Sequence, residues 1–238
     1  MSIPVIQDLS IVLNAPDHNS TLLTPEFLTG TGIIPADWEL TRPPVINTRA
    51  SQIVFNNGVT LLAQPGAIIF SQTLPEEGTN DVAIPEIARK YASTLSNLNY
   101  QAVDINSKRF VPFEDQPDGA RQYITETLLA PGSWKDLTNE PVQASINLVY
   151  PIKNRQLRLA IAEAKLQRPD DEPISTVLFA GSFPHLIEGD TPESRLKSLI
   201  AAIGNWQTDL TAFQKLLDTR FQIPLLKNET GDRSEVES

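Results

Sequence analysis

An internal repeat constrains the fold of this chain more than any other feature of its sequence. The segment Pro-Ala-Asp-Trp at residues 35–38 aligns with Pro-Gly-Ser-Trp at residues 131–134. The dipeptides Leu-Thr and Pro-Val follow both segments, at a spacing that is one residue larger. Because the chain has only three tryptophans, two of them in register are a strong coincidence. The repeat predicts two copies of one supersecondary unit.

The elements predicted around these segments follow the same order in both copies. Apolar periodicity, helix-start residues and turn dipeptides such as Asn57-Gly58 mark their limits. The first copy is predicted to contain a strand, a short helix, three strands and a helix, at residues 3–13, 25–30, 52–55, 59–62, 67–70 and 85–98. The second copy is predicted to contain the same series at residues 100–110, 119–128, 142–150, 156–166, 175–180 and 192–221.

This order predicts an α+β protein made of two tandem β-α-β-β-β-α units. We expect a mainly antiparallel sheet of about eight strands, with helices on one face and a long C-terminal helix. Residues 1–98 form the first predicted unit, residues 99–226 form the second unit and pack with the first as one domain, and residues 227–238 form a disordered tail. The element order resembles that of TATA-binding proteins, although none of that family's DNA-contacting residue pattern is present.

The last predicted helix carries an apolar stripe that is sustained for three heptads. Thr191 is its expected N-cap and Pro192 its first residue. An unbroken helix from there to residue 221 would be about 45 Å long, so we expect either a bend near Gly204-Asn205 or a distal half that packs elsewhere. The stripe is either core against the sheet or a homodimer interface, whose candidate residues are Trp206, Leu210, Phe213 and Leu217.

Composition excludes several classes of function. The formal net charge of −10 disfavours nucleic acid and anionic membrane surfaces as partners. The absence of cysteine excludes disulfides and thiolate chemistry and suits a reducing compartment. The N-terminal residues lack the pattern of a signal peptide, and no apolar stretch is long enough to span a bilayer. We therefore expect a cytoplasmic protein.

The sequence contains no complete catalytic or metal-binding motif. His185 follows a predicted strand, and Ser182 and Asp190 are near it in sequence, but no nucleophile-elbow motif presents the serine. The acidic runs at residues 76–77 and 170–172 lack the ligand spacing of a calcium loop and indicate solvated loops. No zinc or nucleotide-binding motif occurs. We expect no metal and no cofactor.

Two charged residues stand out in the strand predicted over residues 156–166. Alternation that buries Leu157, Leu159 and Ile161 would also bury Glu163 and Lys165. Charges on a core face are costly unless they are paired or turned outward by a bulge. The alternative is that Glu163 and Lys165, together with His185, line a ligand-binding cleft.

These observations favour binding or assembly over catalysis. The leading hypothesis is a non-enzymatic module that binds another protein or a second copy of itself. The alternative is a small-molecule sensor or enzyme with a pocket between the two duplicated halves, with Arg89, Arg121 and Arg158 as further candidate cations.

Overall fold

The chain forms one nine-stranded sheet in which every neighbouring pair of strands is antiparallel. The computed structural model describes residues 5–74, 81–135, 141–152, 155–167 and 172–221. Within these ranges the strands are β1 (Ile6–Asn14), β2 (Val45–Ile46), β3 (Ser51–Val54), β4 (Val59–Gln64), β5 (Ala67–Thr73), β6 (Ala102–Pro112), β7 (Ser145–Ile152), β8 (Arg155–Leu166) and β9 (Ile174–Leu186). Their order across the sheet is β2-β3-β4-β5-β1-β6-β9-β8-β7.

The described helices are α1 (Pro25–Gly30), α2 (Ile84–Thr94), α3 (Gly119–Gln122), α4 (Pro192–Gly204) and α5 (Trp206–Arg220). Helix α3 continues directly as a π-helix, Tyr123–Leu128, and single 3-10 turns occupy Ser20–Leu22 and Ser133–Lys135. The predicted α+β class, antiparallel sheet and C-terminal helical segment are therefore confirmed. The sheet has one strand more than expected, because the two-residue strand β2 pairs with β3.

The strands on the two sides of the central β1–β6 pair are arranged in the same way relative to their order in the chain. On one side β5, β4 and β3 follow β1, and on the other β9, β8 and β7 follow β6. The two tryptophans aligned by the repeat have different environments, however. Trp38 packs edge-on against Phe55, whereas Trp134 is 40% exposed. The duplication itself therefore stays a prediction.

Local sequence signals fix several of the turns and helix ends. The Thr24 side chain accepts a hydrogen bond from the Phe27 N–H and caps α1, whose first residue is Pro25, as expected. Gly58 and Gly66 adopt φ angles of +81° and +84° in the two hairpins that join β3, β4 and β5. A residue with a side chain would be strained at either position.

One hydrophobic cluster lies between the sheet and the helices. Along each central strand, alternate side chains face the helices, and most of them belong to this cluster together with the buried side chains of the helices. The largest of its fully buried side chains are Tyr91, Phe70, Phe179, Phe183 and Phe213. This alternation is the period-2 pattern of a sheet with one covered face.

The C-terminal helical segment breaks at Asn205, where a bend was expected. The Asn205 N–H donates to the carbonyls of Ala202 and Ile203, and α5 begins at the next residue. Both helices bury apolar residues in the common cluster, so the segment packs on the sheet on both sides of the break. Thr191 caps α4 through a reciprocal pair of hydrogen bonds with Ser194.

Two strand limits differ from the expectation. Strand β9 was predicted to end at Ala180 but continues through Pro184, so His185 lies within a strand. Pro151 was placed in a turn but lies in β7, the outermost strand, where a missing N–H is tolerated. The predicted tail at residues 227–238 lies outside the described residues.

The close approach of α5 to β9 depends on Gly181. A Cβ atom at this position would lie 2.5 Å from a ring carbon of Phe213. We expect Gly181→Ala to lower the free energy of unfolding by about 1–3 kcal/mol, since overpacking forces neighbours to shift. Urea denaturation measures this loss.

The double-mutant cycle with Phe213→Leu supplies the control for this prediction. The smaller side chain provides room for the added methyl group, so the double variant should lose at least about 0.5 kcal/mol less than the sum of the two single losses. Strictly additive losses would show that the two residues do not meet.

Candidate interaction surface

The side chains that point away from the helices form a second, uncovered face of the sheet, here called the open face. It consists of the residues that alternate with the buried ones in β1, β3, β4, β5, β6, β8 and β9. Most of these residues are half-exposed, and within the described residues no helix packs on them. Among the described residues, the open face is therefore a continuous surface that no second layer covers.

A row of polar side chains crosses the middle of the open face. Strand register places each member opposite the next on six adjacent strands, β4, β5, β1, β6, β9 and β8. The row is Thr60, Ser71, Ser10, Asn106, Ser182 and Arg158. At about 4.8 Å between strands, it is roughly 24 Å long.

Apolar side chains flank this polar row on both sides. Leu62, Ile69 and Val12 are cross-strand neighbours on one side. Phe110, Leu178 and Ala162 are cross-strand neighbours on the other. The open face thus combines hydrogen-bonding groups with moderate apolar area, the mixture found in non-obligate protein interfaces.

The charges on the central strands of the open face are largely compensated locally. Asp8 lies opposite Lys108 and accepts a hydrogen bond from Thr73 at 2.8 Å. Asp104 accepts one from the Asn14 amide at 2.7 Å. A surface of this kind, on a chain with a net charge of −10, has no strong field of its own.

His185 belongs to a partly buried polar cluster between α5 and the sheet. The Asp209 carboxylate is fully buried on α5, accepts a hydrogen bond from His185 Nε2 at 2.8 Å and forms a salt bridge with Arg155. Arg155 and His185 come from the adjacent strands β8 and β9. The cluster joins α5 to this end of the sheet, and each charged group in it has a partner.

The structure does not assemble the serine, histidine and aspartate considered in the sequence. Ser182 points to the open face, because its neighbour Gly181 faces Phe213 and successive strand residues alternate. Asp190 lies in the loop before α4, and His185 contacts Asp209 instead. Asp209 was missed, although its spacing of three residues from Trp206 and four from Phe213 places it on the apolar stripe.

Glu163 and Lys165 have different environments. Glu163 is half-buried and receives hydrogen bonds from Arg121 Nε and Nη2 at 3.2 Å each, so the charge on the core side is paired. Lys165 is exposed near the end of β8. Of the other candidate cations, Arg158 lies on the open face, and Arg89 lines a cleft that also includes Lys90 and Glu86.

The four interface candidates of the terminal helix all lie in the core. Trp206 is 8% exposed, Leu210 1%, and Phe213 and Leu217 are fully buried. These side chains cover the sheet, and an interface through them would require α5 to leave it. Of the two alternatives stated for the apolar stripe, these residues therefore fit the first, because they form core against the sheet.

A second buried polar pair, in the first half of the molecule, has no signature in the sequence. His18 Nε2 lies 2.6 Å from the Tyr91 hydroxyl, and both side chains are buried. Burial lowers the pKa of His18 below its ordinary value, with Asp17 and the backbone of Gln64 acting in the opposite direction. Burial also raises the pKa of Tyr91, so both groups are neutral near pH 7.

Comparisons with known proteins do not assign the chain to a family. The chain matches no protein-family model, and no curated protein is significantly similar to it. Within the described ranges, no group of three or more His, Asp or Glu side chains could hold a metal ion. Among the helices of the described segments, none is both long and apolar enough to cross a membrane.

The polar cluster around Asp209 gives a prediction for stability. Asp209→Ala leaves Arg155 and His185 without their shared partner, and we expect a loss of about 3 kcal/mol in the free energy of unfolding. Asp218→Ala is the matched control, because this exposed carboxylate lies on the same helix as Asp209 and binds Arg109 of β6, and its loss should cost at most about 1 kcal/mol. Equal losses in the two variants would contradict a structural role for the cluster.

The His18 pair gives a prediction for pH dependence. Because its pKa is lower in the folded chain, the unfolded chain binds a proton first as the pH falls below about 6.5. The stabilisation is complete above that pH and is lost as the pH falls towards the folded pKa, with a slope of at most about 1.4 kcal/mol per pH unit. Urea denaturation between pH 8 and 5 should show a steeper loss for wild type than for His18→Asn. An equal pH dependence of the unfolding free energy in the two proteins would contradict a lowered pKa of His18.

Proposed function

We propose that the chain is a non-enzymatic protein-binding module whose contact surface is the open face. The observation that carries this proposal is the absence of any described helix on one side of a nine-stranded sheet. The other side is covered by all five helices. A one-sided sheet of this width leaves many half-exposed apolar side chains for a partner to cover.

The dimensions of the open face fit a protein partner. The seven strands of the open face, at a spacing of about 4.8 Å, span roughly 29 Å, and about five residues along each strand add ~17 Å, which gives an area near ~500 Å², more than half of what one partner contributes to a standard interface. A standard interface buries about 800 Å² on each partner. The local compensation of charge favours a partner surface that is itself mixed and weakly charged.

The alternative, a small-molecule site between the two halves, has less support. The halves meet through the continuous β1–β6 ladder, which leaves no cleft within the sheet. At the helix layer, a cavity of about 460 Å³ between α1, α2 and α4 is wide open to solvent. The His185 cluster does not supply a site, since its groups bind one another.

A cytoplasmic location agrees with this proposal and stays a prediction. A chain without cysteine suits a reducing compartment, and the acidic charge suits a protein that binds neither nucleic acid nor an anionic membrane.

The proposal is tested by a charge placed in the middle of the open face. Ala180 lies on β9 between Lys108 and Ala160, so Ala180→Arg adds a large cation there without touching the core. Thr208→Arg is the matched control, because it adds the same charge to the exposed side of α5. Tagged wild type and both variants are expressed in cells that make the protein, and retained proteins are quantified by mass spectrometry.

We expect at least one protein to be retained by wild type and Thr208→Arg and lost by Ala180→Arg. That protein, once purified, should bind Ala180→Arg at least about tenfold more weakly than wild type in calorimetric titrations. The two variants should have the same thermal midpoint as wild type. Retention of the same proteins by all three chains, with equal affinities, would refute the open face as the contact surface.

A further inference from the structure

The outermost strand β7 is an unprotected sheet edge. It has eight residues and, among the residues that the structure describes, pairs on one side only, with β8. On its free side, every second residue points its N–H and C=O away from the sheet, and Pro151 removes at most one of these donors. Free edges of this length pair with other strands unless the sequence prevents it.

Apart from Pro151, the usual protective features are missing from β7. Its sequence, Ser-Ile-Asn-Leu-Val-Tyr-Pro-Ile, contains no charged residue. The opposite edge differs, because β2 has only two residues and so offers little backbone for pairing. The two edges of the described sheet are therefore not equivalent, and of these two only β7 is long enough to accept a full strand.

The side chains of β7 indicate what would cover it. Ile146, Leu148, Tyr150 and Ile152 point towards the helices and extend the core, but each is only partly buried, because the described helices do not cover the edge. Val149 on the other face is 56% exposed. An added strand with apolar residues on the helix side would complete this core.

We propose that this strand is β7 of a second copy, paired antiparallel about a twofold axis near Leu148 or Val149. Such an axis, perpendicular to the sheet, places the four apolar side chains of one copy beside the same four of the other. The result is a closed dimer with one continuous sheet and all helices on the same side. Pairing of β7 with β2 of another copy would instead give an open filament, and β2 is too short for it.

Charge allows self-pairing although each chain is acidic. No charged residue of β7 would face its copy. The nearest charge on the open face, Arg158, lies opposite Val149 on β8, so the two copies of Arg158 would be three strand spacings or about 14 Å apart. This exceeds the screening length of about 8 Å at physiological salt. The dimer does not use the centre of the open face and does not depend on the function proposed above.

Light scattering of the full chain after size exclusion tests the proposal. Wild type should have twice the chain mass of 26.3 kDa. The double variant Asn147→Lys, Val149→Lys places lysines at two exposed positions, which is how natural edges are protected, and should weaken dimerisation at least about tenfold. The single variant Val149→Lys serves if the double variant does not fold.

Two controls separate this proposal from loss of folding and from the function of the open face. Gln207→Lys, Thr208→Lys adds the same charges to exposed positions of α5 and should remain dimeric, as should Ala180→Arg. Hydrogen exchange of wild type should show protection that grows with protein concentration at residues 145–152. A wild-type mass of one chain at 200 μM, or a dimer of undiminished affinity in the lysine variants, would overturn the proposal.

Discussion

The pairing of β1 with β6 is the interaction on which the rest of the structure depends. Nine consecutive residue pairs, from Ile6–Phe110 to Asn14–Ala102, join the first part of the chain to the second in the middle of the sheet. Since both strands place apolar residues on the helix side, their pairing merges two smaller sheets into one surface. Helices from both parts then share one hydrophobic cluster, in which α2 also contacts α4.

Much of the fold was predictable because it is encoded locally. Thr24 and Pro25 specify the start of α1, and Asn57-Gly58 specifies the first hairpin, through backbone preferences that need no tertiary partner. The end of β7 was wrong for a related reason. Pro151 is typical of a turn when only its neighbours in the chain are considered, whereas the cost of a proline depends on whether its backbone faces a neighbouring strand. That depends on the strand order, which no short segment reveals.

The candidate surface was predictable only in part. Alternation in the predicted strands indicated that one face is buried and the other is not, but the neighbours of Ser10 or Ser182 on the open face follow from pairings between distant segments. The same limit applies to Glu163, whose charge was recognised as anomalous although its partner, Arg121, lies on another element. Asp209 was accessible to a closer reading, because an acidic residue at helical spacing from Trp206 and Phe213 must face the core.

The central position of β6 also has a consequence for synthesis of the chain. One neighbour, β1, is complete long before β6 is made, but the other, β9, begins only at Ile174. A nascent chain that has emerged as far as Pro112 can assemble the first part of the sheet with β6 as a temporary outer strand of eleven residues. This strand is longer than β7 and carries apolar residues on its helix side, so it is the segment most exposed to non-native pairing during translation. A pause in translation is tolerated best after β9 has emerged, because only then does β6 have both of its neighbours.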